Sequence, residues 1–272
     1  MVSKLRRLPT YFIPHGGGPW PFIELPAEQR SEHQRLAHFL RGLLADVGRA
    51  PRAILMISGH WEERRPTVMQ REVNELLFDY SGFPPSTYEL HYPAPGSLEL
   101  ARRVQDLLGA GFSSATDQHR GLDHGAFVPL MLIVPDASIP VVQLSLVNTL
   151  DPETHLGIGR ALAALRDEDI LILASGMSYH NMREFFQPSE SGEARGSRRF
   201  DTWLTRAVVA DPYTRAAQLA QWQNGDDARV AQPREEHLIP LMVAAGAAEN
   251  DPGRRVYSGQ LFHAYVSGYR FG

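Results

Sequence analysis

Ala53-Ile54-Leu55-Met56-Ile57, followed at once by Ser58-Gly59-His60, is the stretch on which the fold turns. Five apolar residues without alternation predict a strand covered on both faces, as in a parallel sheet. The same grammar recurs on either side. Thr10-Tyr11-Phe12-Ile13 runs into Pro14-His15-Gly16-Gly17-Gly18, and Ile170-Leu171-Ile172-Leu173-Ala174-Ser175 runs into Gly176-Met177-Ser178-Tyr179-His180. Each apolar run therefore ends in a glycine and a histidine. In open α/β sheets the carboxyl edge of the strands is where ligands bind.

Helical segments separate these strands. A helix is expected from Ser31, with Gln34 set for a capping box, through Leu36, Phe39, Leu40, Leu43, Leu44 and Val47 to Gly48. Others are expected over Ser97–Leu108, from Phe127, over Pro152–Leu165 and over Leu238–Ala245, with a further strand at Pro140–Leu146. Strand alternating with helix predicts an α/β fold, with a mainly parallel sheet carrying helices on both faces. No repeat or linker interrupts residues 1–272, so one domain is expected. Leu76–Pro95, rich in proline and aromatic residues, reads as a long functional loop, Pro188–Arg198 as a polar mobile loop, and Tyr257–Tyr269 as β-like.

The composition excludes several classes. With 27 Lys+Arg against 31 Asp+Glu there is no electrostatic footprint for nucleic acid or anionic lipid. No stretch is long enough to span a membrane, and Tyr11–Ile13 is too short for a secretory apolar region, so a cytoplasmic location is expected. The absence of cysteine leaves imidazole and carboxylate as the donors for any transition metal, and the chain has 11 histidines. Any one histidine beside a glycine is ordinarily a hydrogen-bonded turn residue. Three with the same placement at strand ends carry more weight as a set.

Pro14-His15-Gly16-Gly17-Gly18-Pro19, Ser58-Gly59-His60-Trp61-Glu62, Asp79-Tyr80-Ser81-Gly82-Phe83-Pro84, Leu122-Asp123-His124-Gly125, Ser175-Gly176-Met177-Ser178-Tyr179-His180-Asn181 and Arg234-Glu235-Glu236-His237 follow one another in a familiar order. Together they resemble the class III extradiol ring-cleavage dioxygenases, in their DOPA 4,5-dioxygenase-like branch, from Thr10 to Phe271. The resemblance implies a three-layer α/β/α fold around a mixed, mainly parallel sheet. It also implies His15 and His60 as metal ligands, with the third ligand at His237 or the neighbouring Glu236. His180 would be the active-site base, itself close enough to the metal to touch it, and His124 a second catalytic histidine.

The expected reaction is cleavage of a catechol by dioxygen beside its two hydroxyls, with Fe(II) the active metal and Zn(II) an alternative occupant. His91, Tyr80, Phe83 and Tyr92 of the aromatic loop are the expected substrate contacts. Two rival readings use the same histidines: a zinc-dependent hydrolase, and a metal-binding protein without turnover. A homodimer is the expected assembly, and the remaining histidines read as surface or packing residues.

Overall fold

The computed structural model describes residues 7–186 and 192–272. Eight strands form one sheet: β1 (Thr10–Pro14), β2 (Ala53–Glu63), β3 (Thr67–Met69), β4 (Ala115–Asp117), β5 (Val141–Val147), β6 (Ile170–Gly176), β7 (Gly253–Leu261) and β8 (Ala264–Phe271), in the order β4-β3-β5-β2-β6-β1-β8-β7. The central run β5-β2-β6-β1 is parallel throughout. The flanks are mixed, since β3 meets β5 and β8 meets both β1 and β7 in antiparallel fashion. The expected mixed, mainly parallel sheet is what the chain forms.

The helices among the described residues are α1 (Ala27–Val47), α2 (Leu98–Leu108), α3 (His124–Ile133), α4 (Pro152–Leu162), α5 (Met182–Phe186), α6 (Ser197–Val209), α7 (Pro212–Ala220), α8 (Ala228–Ala231) and α9 (Ile239–Ala248). Alternation along β1 shows how they form two outer layers. Thr10 donates to the carbonyl of Ala244 on α9, while the Tyr11 hydroxyl donates to Asp46 on α1. Successive side chains of a strand point to opposite faces, so α9 and α1 lie on opposite sides of the sheet. The fold is three-layer α/β/α. No described helix is long and apolar enough to cross a membrane.

Several element ends differ from the expected ones for local reasons. Helix α1 begins at Ala27, because Pro26 is extended (φ −52°, ψ 145°) and delivers the chain into the first turn; Ser31 and Gln34 lie inside the helix, so the capping box does not form. Gly48 does close that helix, in the left-handed conformation. Asp123 caps α3, accepting from the Ala126 amide, which starts that helix at His124 instead of Phe127. Of the loop expected over Pro188–Arg198, residues 188–191 lie outside the described residues, and the chain is helical from Ser197. The C-terminal β-like run is a hairpin of β7 and β8.

Strand β2 does not stop at Ser58. It continues to Glu63, and its register against β5 jumps from Ile57↔Leu144 to Glu62↔Leu146. This bulge takes Ser58–Trp61 out of register with β5, while Ser58 still pairs with Ser175 of β6; bulges commonly re-aim a side chain beside a site. His60 is the residue so displaced. Ile54, Leu55, Met56 and Ile57 ahead of it are fully buried, each worth about 1.5–3 kcal/mol of apolar burial. Replacing Leu55 with Ala is expected to cost about 2–5 kcal/mol in urea denaturation; a loss below about 0.5 kcal/mol would show that this strand is not the packed centre of the sheet.

Candidate metal centre

Five histidines from five separate segments meet at the carboxyl edge of the parallel strands. His15 follows β1, His60 sits in the β2 bulge, His124 opens α3, His180 follows β6 and His237 precedes α9. The ring centroid of His15 lies 5.0 Å from that of His60, 5.5 Å from His124 and 5.2 Å from His237. The His60 and His124 rings are 4.0 Å apart, and His180 stacks on His237 at 3.5 Å.

The backbone explains how they converge. Gly176 ends β6 directly beneath His237: a Cβ there would stand 2.1 Å from the His237 carbonyl oxygen, and the next amide, Met177, donates to that same oxygen (2.9 Å). Only glycine lets the His237 segment lie against the strand end. At β1, Gly16 turns through φ +79° and is covered by the Trp20 indole, whose Nε1 donates to the His15 carbonyl (2.8 Å). His180 is held by its own amide, which donates to Ala231 of α8 (2.9 Å).

Two carboxylates orient the rings from behind. Asp79 Oδ1 accepts from both the backbone amide and Nδ1 of His124 (2.9 and 2.8 Å), while its Oδ2 lies 3.4 Å from His60 Nδ1. Glu236 Oε1 accepts from His237 Nδ1 (2.9 Å) and lies 3.5 Å from His180 Nδ1. A carboxylate is an acceptor, so Nδ1 of His237 and of His124 carry the protons, leaving their Nε2 lone pairs free. This is the outer-shell arrangement commonly found behind metal-ligating imidazoles.

Three features of the donor set fit a metal ion. His60 Nε2 and His237 Nε2 stand 3.2 Å apart, and two nitrogens bound to one ion at about 2.1 Å fall roughly 3.0–3.4 Å from each other. Both ring nitrogens of His15 are buried with no hydrogen-bond partner among the described residues. Burial, and then the neighbouring imidazoles, hold His15 well below the ordinary histidine pKa; His237 is held well below it too, and burial brings His60 down to about 4. Neutral imidazoles with free lone pairs are what a transition metal requires. The residues fit.

Burial alone would raise the pKa values of the two carboxylates, but their hydrogen bonds outweigh it. Glu236, bonded to His180 and His237, and Asp79, bonded to His124, both lie below the usual carboxylate range. They remain anionic behind the rings.

The cavity above these rings has a volume of about 540 Å³ and includes Tyr80 and Phe83 in its wall, where the sequence places substrate contacts. His91 and Tyr92 are not in it. Correcting that expectation, His91 is exposed on the loop, and Tyr92 is buried with its hydroxyl donating to the Val134 carbonyl (3.0 Å) past the end of α3. Tyr92 alternates with its neighbours into the core, so its ring packs the loop down and does not wall the site. Asp79 and Glu236 received no positioning role from the sequence, although both lie in quoted motifs. Their carboxylates beside histidine-bearing segments were the available signal. Trp20, Phe185 and Phe262 also line the cavity, brought in from distant segments.

Residues 9–269 match the family model described as the catalytic LigB subunit of aromatic ring-opening dioxygenase. The chain belongs to that family. It is 40% identical to a 4,5-DOPA dioxygenase extradiol of Beta vulgaris over 92% of this chain and 90% of that one, and 36% identical to the dioxygenase tasH of Hapsidospora irregularis over 99% and 87%. A crystal structure of the uncharacterized Escherichia coli K12 protein JW3007 superposes with a TM-score of 0.77 at 29% identity, covering 98% of this chain and all of that one. This LigB chain is thus an extradiol dioxygenase of the DOPA dioxygenase-like branch.

Two outcomes are expected of the cluster. Zn²⁺ added to metal-free protein should raise Tm, by about 2.7 kcal/mol of stabilisation at 100 times Kd. His15→Ala should abolish that rise and the exposed His38→Ala preserve it; equal shifts in both variants would place the ion elsewhere. In metal-free protein the depressed imidazoles refuse protons that the unfolded chain accepts, so stability should fall progressively from about pH 6.5 toward pH 4. Urea midpoints that do not change between pH 7 and pH 5 would contradict this.

Proposed function

We propose that this LigB chain, working as one catalytic domain, cleaves a catechol extradiol with dioxygen at a single metal ion held by His15, His60 and His237. The observation that carries the reading is the 3.2 Å approach of the His60 and His237 Nε2 atoms beside the unpartnered, buried His15 ring. Glu236 is engaged with His237 Nδ1, which favours His237 over Glu236 as third ligand. When bound, Fe(II) supplies the redox path between catechol and dioxygen, whereas Zn(II) offers only Lewis acidity.

The chain's own residues then divide the proton work. His180, at the cavity floor and stacked on His237, accepts a proton from a catechol hydroxyl. Glu236 Oε1, 3.5 Å from His180 Nδ1, stabilises the imidazolium so formed. His124 is backed by Asp79 in the same way; its free Nε2 takes up the second catechol hydroxyl proton and returns it to an oxygen of the cleaved ring. Tyr80 and Phe83 flank the aromatic ring and exclude water, while the neutral ligand imidazoles leave the substrate's hydroxyls the acidic groups in the cavity.

The test is anaerobic reconstitution with Fe(II), followed by air, against a panel of catechols. Oxygen uptake equal to catechol loss, with a yellow semialdehyde product, is expected. His180→Ala should lower kcat by about 10²–10⁴-fold while iron stoichiometry stays at the wild-type value. Full zinc occupancy on purification with no oxygen uptake on any catechol would refute the proposal.

A further inference from the structure

His60 stands in the part of β2 that is out of register with both neighbouring strands. The pairing with β6 ends at Ser58 and that with β5 resumes at Glu62, so Gly59, His60 and Trp61 have no partner in either register. Backbone groups without a ladder need other hydrogen-bond partners, and side chains supply them here. The His60 amide donates to Ser58 Oγ (3.2 Å), and the His60 carbonyl accepts from Arg120 Nη2 (3.0 Å). The same guanidinium lies 4.8 Å from the centre of the Trp61 ring, a cation–π contact on the residue that follows His60.

Both partners lead to Asp123, which is fully buried. Its Oδ1 accepts from Ser58 Oγ (2.7 Å) and from the Ala126 amide (3.1 Å). Its Oδ2 accepts from Arg120 Nη2 (3.1 Å) and from Nε2 of the buried Gln143 on β5. Four donors satisfy the carboxylate and Arg120 balances its charge, as burial of an anion requires. The Ala126 bond caps α3, so Asp123 also fixes the first turn of the helix that His124 opens. Gly125 in that turn lets the two segments meet: a Cβ there would stand 2.5 Å from Ser58 Oγ and 2.7 Å from His60 Cδ2.

Resting on the metal reading above, we infer that Asp123, Arg120 and Ser58 are positioning residues that act as one unit on His60 and His124. Ser58 and Arg120 hold the amide and the carbonyl of the metal ligand, and Asp123 joins both to the turn that carries His124. None of the three lines the cavity, so they act through the two histidines and touch no substrate. The unit sets the 4.0 Å separation of the two ring centroids. The placing of a ligand nitrogen and the reach of a proton-carrying ring therefore depend on one buried ion pair, in the way that groups behind metal ligands tune affinity.

The experiment loads metal-free protein with Co²⁺ and follows its visible d–d absorption, whose shape reports coordination geometry. Competition with Zn²⁺ gives affinities, and thermal melts of the metal-free protein run in parallel. Arg120→Met and Ser58→Ala release the His60 carbonyl and amide one at a time. Each should weaken metal binding by about 10–100-fold and alter the Co²⁺ spectrum. Asp123→Asn, which sets an amide N–H against the surrounding donors, should do both more strongly; where it fails to fold, the other two variants decide. Leu204→Ala, buried on α6 and outside the site, should lower Tm and leave affinity and spectrum unchanged. Arg120→Met and Ser58→Ala proteins that bind Co²⁺ with wild-type affinity and spectrum, whatever their Tm, would overturn the inference and leave the metal reading intact. Wild-type protein that takes up no Co²⁺ would remove the metal reading and the inference with it.

Discussion

Everything in this site depends on keeping several imidazoles uncharged while they stand within a few ångströms of one another. Five protonated rings at those separations would repel strongly in a medium with little water to screen them. Burial resolves the conflict by favouring the neutral form of His15, His60 and His237. Asp79 and Glu236 then place protons on Nδ1 of His124 and of His237, and Nε2 of His237 faces Nε2 of His60 at 3.2 Å. The cluster of ring nitrogens could in this way hold a metal ion.

The sheet exists, for functional purposes, to bring these rings together. Parallel strands β1, β2 and β6 end side by side, so residues as distant as His15, His60 and His180 arrive at one edge. His237 comes from the opposite direction, along the segment entering α9, and Gly176 lets its backbone settle against β6. The aromatic loop closes the front with Tyr80 and Phe83, and the same loop supplies Asp79 from behind. One segment thus both walls the cavity and supplies the carboxylate behind two of its histidines.

Much of this was legible in the sequence, because the relevant signals are local. An unbroken run such as Ala53–Ile57 can hardly be anything but a doubly covered strand, and a glycine-histidine pair after it marks the functional edge. What could not be read is of two kinds. The β2 bulge and the short strands β3 and β4 depend on partners far away in the chain, as register always does. The destination of loop side chains depends on three-dimensional packing: Tyr80 and Tyr92 are both loop tyrosines, yet one faces the cavity and the other anchors to Val134. Asp79 and Glu236 were visible as acidic residues in motifs, but their pairing with specific ring nitrogens appears only when the segments meet.

Anomalous diffraction from crystals soaked with Zn²⁺ or grown anaerobically with Fe²⁺ tests the central claim most directly. The account predicts one strong peak per chain, coordinated by Nε2 of His60, Nε2 of His237 and a ring nitrogen of His15, with Glu236 still hydrogen-bonded to His237. An ion bound through the Glu236 or Asp79 oxygens, or density that leaves the His15 ring without a ligand, would contradict it.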